Sequence, residues 1–221
     1  ATRRFLADVA DLAVIRWREP DEGIWEVRGG RQHFLYSKVM CWVALDRALT
    51  MARPLGNLRQ VRRWARAREE IRRTILEQAW SERAGAFSQA FGSDELDASS
   101  LVMPLVGFLP ATEPRMRATI EAVASRLTDE RGLVYRYRSR DGLAGEEGTF
   151  LLCTFWLAEA LAGAGELDRA TETLERAAGC ANDLGLLAEE VDTSSGELLG
   201  NFPQAFSHVG LVNAAWAISR K

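Results

Sequence analysis

The chain has 221 residues, 47% of them hydrophobic and 27% charged, which is enough for one substantial core or two small ones. Its net charge of -3 provides no basic face of the kind that phosphate neutralisation needs, so nucleic acid is excluded as an expected partner.

Helical periodicity dominates from the N-terminus onward, and no alternating run reads as a strand. Residues 2–18 predict an amphipathic, charged helix, and residues 34–52 ("FLYSKVMCWVALDRALTMA") one that is apolar on nearly every side. Residues 58–80 return to the charged kind. The arginines of "RQVRRWARAREEIRR" are interleaved with glutamates there, the pattern of a solvated face. Apolar helices follow at 97–108, 148–163 and 204–219, separated by amphipathic ones at 114–127 and 167–184. A helix apolar all round is buried, and one with a single apolar stripe lies outside it. The order is therefore outer then inner, four times over, within a single domain covering residues 1–221. The inner helices begin about 63, 51 and 56 residues apart, too widely and too irregularly for tetratricopeptide or ankyrin units. Helical hairpins around a common axis fit that spacing.

In such a layout the inner helices run parallel, and the connections leading into them open at one end. Those connections are long, at 20–33, 81–96, 131–147 and 185–203, whereas the returns near 53–57, 109–113 and 163–166 are short. Long loops gathered on one face of a rigid scaffold are where function sits.

The first long loop, in "EPDEGIWEVRGGRQHF", sets Glu26 beside Trp25, and the third holds "VYRYR" with Arg136 and then Glu147. The fourth, "GLLAEEVDTSSGELLGNFPQ", holds Glu189, Glu190 and Asp192. Flat rings offer a sugar's C–H face an apolar platform, and charged groups hold its hydroxyls. Two carboxylates in different environments can divide the cleavage of a glycosidic bond, one protonated beside an apolar neighbour and one ionised to activate water. Trp25 beside Glu26 would supply the first environment, and the acidic cluster at Glu189 the second. Glu147 and Asp97, just before helices, also suit plain dipole complementation.

Other chemistries find less support. His33 stands at a helix start, where capping or packing is the usual role, and His208 lies in an apolar run as a core histidine. With two histidines and no ligand spacing, neither a metal nor another cofactor is expected. "SSGE" and "SHVG" lack the strand-turn-helix setting of a nucleophile elbow. Cys41, Cys153 and Cys180 are an odd set without CxxC spacing, two of them in apolar runs. They point to a reducing, cytoplasmic compartment and no structural zinc. The longest apolar stretch, "LVMPLVGFLP", is too short and proline-broken to enter a membrane as a span.

Four separated motifs then occur in one order: "PDEGIWEVRG" with "YSKVMCWVALDRA", "LDASSLVMPLVGFLP", "GLVYRYR" with "GEEGTFLLCTFWLAEAL", and "GLLAEEVD" with "GELLGNFPQAFSHVGLVNAA". Together, from about residue 10 to 217, they resemble the glucoamylase and trehalase family of glycoside hydrolases, family 15, in its bacterial branch. The resemblance implies an all-α fold, an (α/α)6 toroid, and hydrolysis of α-glucosidic bonds with inversion. It implies Glu26 as general acid, Glu189 as general base, Arg136 as a sugar contact near the scissile bond and Trp25 as pocket lining. Glu147 and Glu190 follow as supporting contacts.

A complete toroid has six hairpins and this sequence supplies four, so two are expected before Ala1, where the chain begins without methionine inside a helical pattern. The expected partner is a disaccharide or oligosaccharide, trehalose or a short α-glucan, with self-association or a preceding segment covering the open flanks. A non-catalytic helical scaffold that binds carbohydrate or protein through the same mouth is the alternative, and a helical-repeat interaction protein a third reading.

Overall fold

The structure, a computed structural model, describes residues 2–27, 29–51, 56–138 and 148–221. These divide into two compact units, Ala1–Ser81 with Ser88–Asp94, and Glu82–Phe87 with Glu95–Lys221. The fold class is all-α, as expected, although among the described residues five two-residue strands also occur.

The first unit is built on three helices, α1 (Thr2–Arg16), α2 (Leu35–Thr50) and α3 (Leu58–Gln78), followed by the short strand β1 (Trp80–Ser81). Each helix packs on the other two. Helix α2 buries Leu35, Val39, Trp42, Leu45 and Ala48, and α3 contributes Trp64, Ala67, Ile71 and Ile75 at helical spacing. Ala7, Ala10 and Ala13 are the buried positions of α1, small enough to let its axis come close. Helix α3 starts sharply because Asn57 and Gln60 form a capping box, each side chain accepting the other's backbone N–H. Gly56 has to be glycine, since a Cβ there would lie 2.8 Å from the Trp64 ring.

The second unit begins with the strand β2 (Ala86–Phe87), a 3-10 turn (Ala98–Leu101), α4 (Val102–Leu105) and α5 (Pro114–Arg126). It continues with β3 (Thr149–Phe150), α6 (Leu151–Ala164), α7 (Leu167–Ala178), β4 (Glu190–Val191), β5 (Leu198–Leu199) and α8 (Ala205–Ser219). Helix α6 is the buried one, with ten of its residues inside, as its all-round apolar sequence requires. Both α7 and α8 pack on it, and the core joins Leu151, Phe155 and Ala158 of α6 to Leu133, Ala177, Leu187, Val191 and Ala214. Gly210 lets α8 approach, because a Cβ there would meet the Phe155 Cβ at 3.0 Å.

The expected inner helix at 97–108 is much shorter, one 3-10 turn and one α-turn. Pro104 brings no N–H to continue the ladder, and Gly107 turns the chain at φ 81°. The helix expected from 148 begins instead at Leu151, because Thr149 and Phe150 are taken into β3, which pairs with β4. Likewise α7 ends at Ala178 rather than near 184.

Candidate active site

Glu26 and Trp25 belong to the first unit, on a hairpin-like loop. Its neck is the pair Asp21 and Gln32, whose backbones exchange two N–H to O bonds of 2.9 Å. A salt bridge from Arg31 Nε to Glu22 Oε1, 2.8 Å, links the two strands of the loop. The bond from Val27 N–H to Glu22 O, 3.0 Å, closes the tip. Gly23, at φ 74°, lies flat on Phe34, and a Cβ there would stand 2.9 Å from that ring. Glu26 has φ 52° and is the only non-glycine residue with positive φ among the described residues. A left-handed backbone is strained for a glutamate and persists only where its surroundings hold it.

Trp25 is half-buried and Glu26 exposed. Glu26 helps to line a cavity of about 490 Å3 together with Trp17, Asp21, Glu22, Ser37 and Lys38. The indole N–H of Trp17 is buried with no hydrogen-bond partner among the described residues. A larger cavity of the same unit, about 640 Å3, is edged by Arg18, Arg59, Arg62, Arg63 and Arg66 and holds none of the expected site residues. Arg18 is paired there with Glu70, and Arg63 with Asp11. His33 is half-buried and stacks on Phe91 at 6.0 Å, in keeping with a packing role.

Glu189, Glu190 and Arg136 belong to the second unit. Glu189 is half-buried and held through backbone and side chain alike. Its C=O accepts from Leu151 N–H at the start of α6, 3.1 Å, and its N–H donates to Asn201 O, 3.1 Å. Its Oε2 accepts from the Asn201 backbone N–H at 3.0 Å and the Asn201 Nδ2 at 2.9 Å. Gly200, at φ 72°, leaves the room this needs, since a Cβ there would stand 2.7 Å from that Oε2.

The first turn of α8 secures the segment just before Glu189. Ser207 Oγ donates to Ala188 O at 2.7 Å, and Gln204 N–H donates to Leu187 O at 2.8 Å. His208 accepts Leu187 N–H on Nε2 and donates from Nδ1 to Gln204 O, which fixes its tautomer. His208 is thus a satisfied structural histidine, as expected.

Glu190 sits in β4 opposite Phe150 and Leu199. The Arg136 guanidinium lies 5.3 Å from the Phe150 ring centroid and 5.7 Å from that of Tyr137. Cys153 is fully buried, and its thiol is pushed well up, first by burial and then by the Asp97 carboxylate, with Arg136 opposing and Glu190 adding. Asp97, Arg136 and Glu190 therefore act on one spot at the beginning of α6. Asp97 also caps the 3-10 turn, accepting Ser99 N–H at 2.7 Å. Asp192 closes its own turn, accepting from the N–H and hydroxyl groups of Ser194 and Ser195, which hold it well below the usual carboxylate range. Glu147 lies outside the described residues.

Sequence reasoning missed Lys38 and Gly200, and gave Asn201 of the fourth loop no role of its own. Only the glycine left a signal, as the end of "GELLG" before an asparagine. Among the described residues no group of three or more histidines, cysteines or carboxylates could hold a metal ion, and no helix is long and apolar enough to cross a membrane.

An all-α scaffold with carboxylates, an arginine and a tryptophan on its interhelical connections has the makeup of a helical glycoside hydrolase. The chain belongs to one family of that class, since the profile described as Glycosyl hydrolases family 15 matches residues 10–216. It is 50% identical over 211 residues to a trehalase of Mycobacterium tuberculosis, covering 94% of this chain and 31% of that protein. It is 48% identical over 218 residues to a trehalase of Mycolicibacterium smegmatis, covering 97% of this chain and 32% of the relative. The chain thus spans about a third of the length of these curated relatives. Among solved structures, a bacterial glucoamylase complexed with acarbose superposes with a TM-score of 0.82 at 18% identity, over 100% of this chain and 39% of that one. That likeness shows the fold.

Proposed function

We propose that the protein carrying this chain hydrolyses α-glucosidic bonds with inversion, and that its substrate is trehalose. Glu26 protonates the departing glycosidic oxygen, and Glu189 takes a proton from the attacking water. Arg136 binds sugar hydroxyls, Trp25 lines the pocket, and Glu147 and Glu190 support the sugar. The two units act as one catalytic domain, in keeping with a family match that runs through both, in a reducing, cytoplasmic setting that suits three free cysteines.

The observation that carries this reading is Glu26 itself, an exposed glutamate at the rim of a polar cavity on a backbone that glutamate rarely adopts. Glu189 supports it from the other unit as a carboxylate oriented by two N–H donors. The choice of trehalose over a malto-oligosaccharide rests on relatives of 48% and 50% identity that are trehalases.

Proton NMR on fresh trehalose digests by the full-length protein is the test. Inversion at one of the two α-linked carbons releases one β-glucose and one α-glucose before mutarotation mixes them. Glu26→Gln and Glu189→Gln should each lower turnover at least a hundredfold, the scale of acid–base catalysis, while leaving the circular dichroism spectrum unchanged. Near-normal turnover in either variant overturns the assignment. Saturable sugar binding with no glucose release from the unaltered protein would establish the alternative, a non-catalytic carbohydrate-binding scaffold.

A further inference from the structure

Lys38 is a charged residue in an otherwise apolar helix face. Its neighbours among the buried residues of α2 are Leu35, Val39 and Trp42, and only 1% of it is exposed. Its Nζ donates to Glu19 O at 2.6 Å and to Asp21 Oδ2 at 3.1 Å. The other oxygen of Asp21 accepts Ser37 Oγ at 2.5 Å and Gly23 N–H at 2.8 Å. Two consecutive residues of α2 thus grip one carboxylate from below, and that carboxylate is the neck of the hairpin bearing Glu26. Removing an ammonium from water costs several kcal/mol, and apolar groups of similar volume often replace a buried ion pair without loss of stability. Stability alone does not account for a lysine in this place. Geometry does, because this pair is the charged link between helix α2 and the segment 19–23 that leads to the strained glutamate.

We propose that Lys38, acting through Asp21, is a positioning residue for Glu26. It touches no reacting atom; it fixes the neck of the loop, so that the acid stands in place at the cavity rim before substrate arrives. The proposal rests on Glu26 being the general acid. Its consequence is specific: a displaced acid harms substrates whose leaving group needs a proton and spares those whose leaving group does not. Cleavage of trehalose expels the second glucose, whose oxygen would leave as an alkoxide without the proton. Cleavage of α-glucosyl fluoride expels fluoride, which needs far less help.

The experiment compares turnover of both substrates by the full-length protein and its Lys38→Met, Ser37→Ala and Glu26→Gln variants. With Lys38→Met, kcat on trehalose should fall about a hundredfold, the cost of misplacing a catalytic group by an ångström or so. KM should stay within about threefold, as expected when ground-state binding is retained, and kcat on the fluoride should stay within about threefold too. Ser37→Ala removes one donor without disturbing the buried charge, and should show the same split at smaller amplitude. It keeps the test decisive if Lys38→Met folds poorly. Equal losses on both substrates, or no loss on either, overturn the proposal. If Glu26→Gln shows no split, the acid assignment falls and the positioning role with it. If Glu26→Gln shows the split while the α2 variants do not, the positioning role alone falls.

Discussion

Asn201 holds Glu189 three times over. Its carbonyl oxygen accepts the Glu189 N–H at 3.1 Å, and its own N–H and Nδ2 both donate to Glu189 Oε2, at 3.0 and 2.9 Å. One oxygen of the carboxylate is thereby occupied and its plane oriented, which suits the proposed role of Glu189 as a base.

Asn201→Ala removes the side-chain donor and keeps the backbone N–H donor and the backbone acceptor. Hydrogen bonds to charged groups are worth about 1.5–3 kcal/mol, or roughly ten- to a hundredfold in rate if the whole effect falls on the transition state. The expected result is a fall of that size in kcat on trehalose with little change in melting temperature. Steady-state kinetics alongside calorimetry checks it, and unchanged kcat would remove Asn201 from the site. Asn201→Asp should lose more, since it sets a second negative charge against Glu189.

Gly200→Ala tests the same corner by volume. The backbone at φ 72° disfavours any Cβ by roughly 1–2 kcal/mol, and this Cβ would also press on Glu189 Oε2 at 2.7 Å. Both melting temperature and turnover should fall, whereas Gly185→Ala should lower only the first. Gly185 has φ 76° and nothing within 4 Å of its would-be Cβ. Equal kinetic losses in the two variants would show that the Glu189 contact is immaterial.

A third prediction concerns acid stability in the first unit. Asp11 on α1 accepts Trp64 Nε1 at 2.7 Å and Gln60 Nε2 at 3.2 Å from α3 and pairs with Arg63. Burial pushes its carboxyl up, but the donors from Trp64, Arg63 and Gln60 outweigh burial and leave it below its usual value. A group lowered on folding stabilises the protein above its unfolded value, about 3.9, and that contribution is lost as the pH falls through the folded value. Asp11→Asn should therefore lower the melting temperature by roughly 2–4 °C at pH 7 and narrow the gap between pH 7 and pH 3. A gap of unchanged width would show that Asp11 is not responsible.

The helices were legible where one residue's environment repeats at helical spacing. Ile71 and Ile75, or the apolar run from Leu151, announce themselves by period alone. The segment 97–108 was misread because its composition is that of a buried helix, while Pro104 and the turn at Gly107 decide its length. Glu26 and Glu189 could be singled out because acidic residues beside a tryptophan, or in a cluster, are local patterns. Their supports could not. Lys38 meets Asp21 from 17 residues away and Asn201 meets Glu189 from 12, across turns whose geometry a linear pattern does not encode. Lys38 was further hidden by lying in a run that reads as apolar all round.

Two helix faces carry the last prediction. On α1, Phe5, Leu6, Val9, Leu12 and Ile15 are exposed, Phe5 to 66%, and the only buried residues of that helix are alanines. On α8, Phe206, Val209, Val212 and Trp216 are exposed, Trp216 to 63%. Phe5, Val9 and Leu12 share one face of α1, and Phe206, Val209 and Trp216 one face of α8, so each helix presents a stripe rather than scattered side chains. Burying apolar surface gains about 25 cal/mol per Å2, and contiguous exposed patches beyond a few hundred Å2 are rare on monomers. The isolated 221-residue chain is therefore expected to self-associate. Size exclusion with light scattering should give a mass above the monomer that rises with concentration. Leu12→Glu with Ile15→Lys, or Val212→Glu with Trp216→Lys, should lower that mass while preserving helical circular dichroism. A parent chain that stays monomeric across a hundredfold concentration range would show that these stripes are tolerated in water without cover.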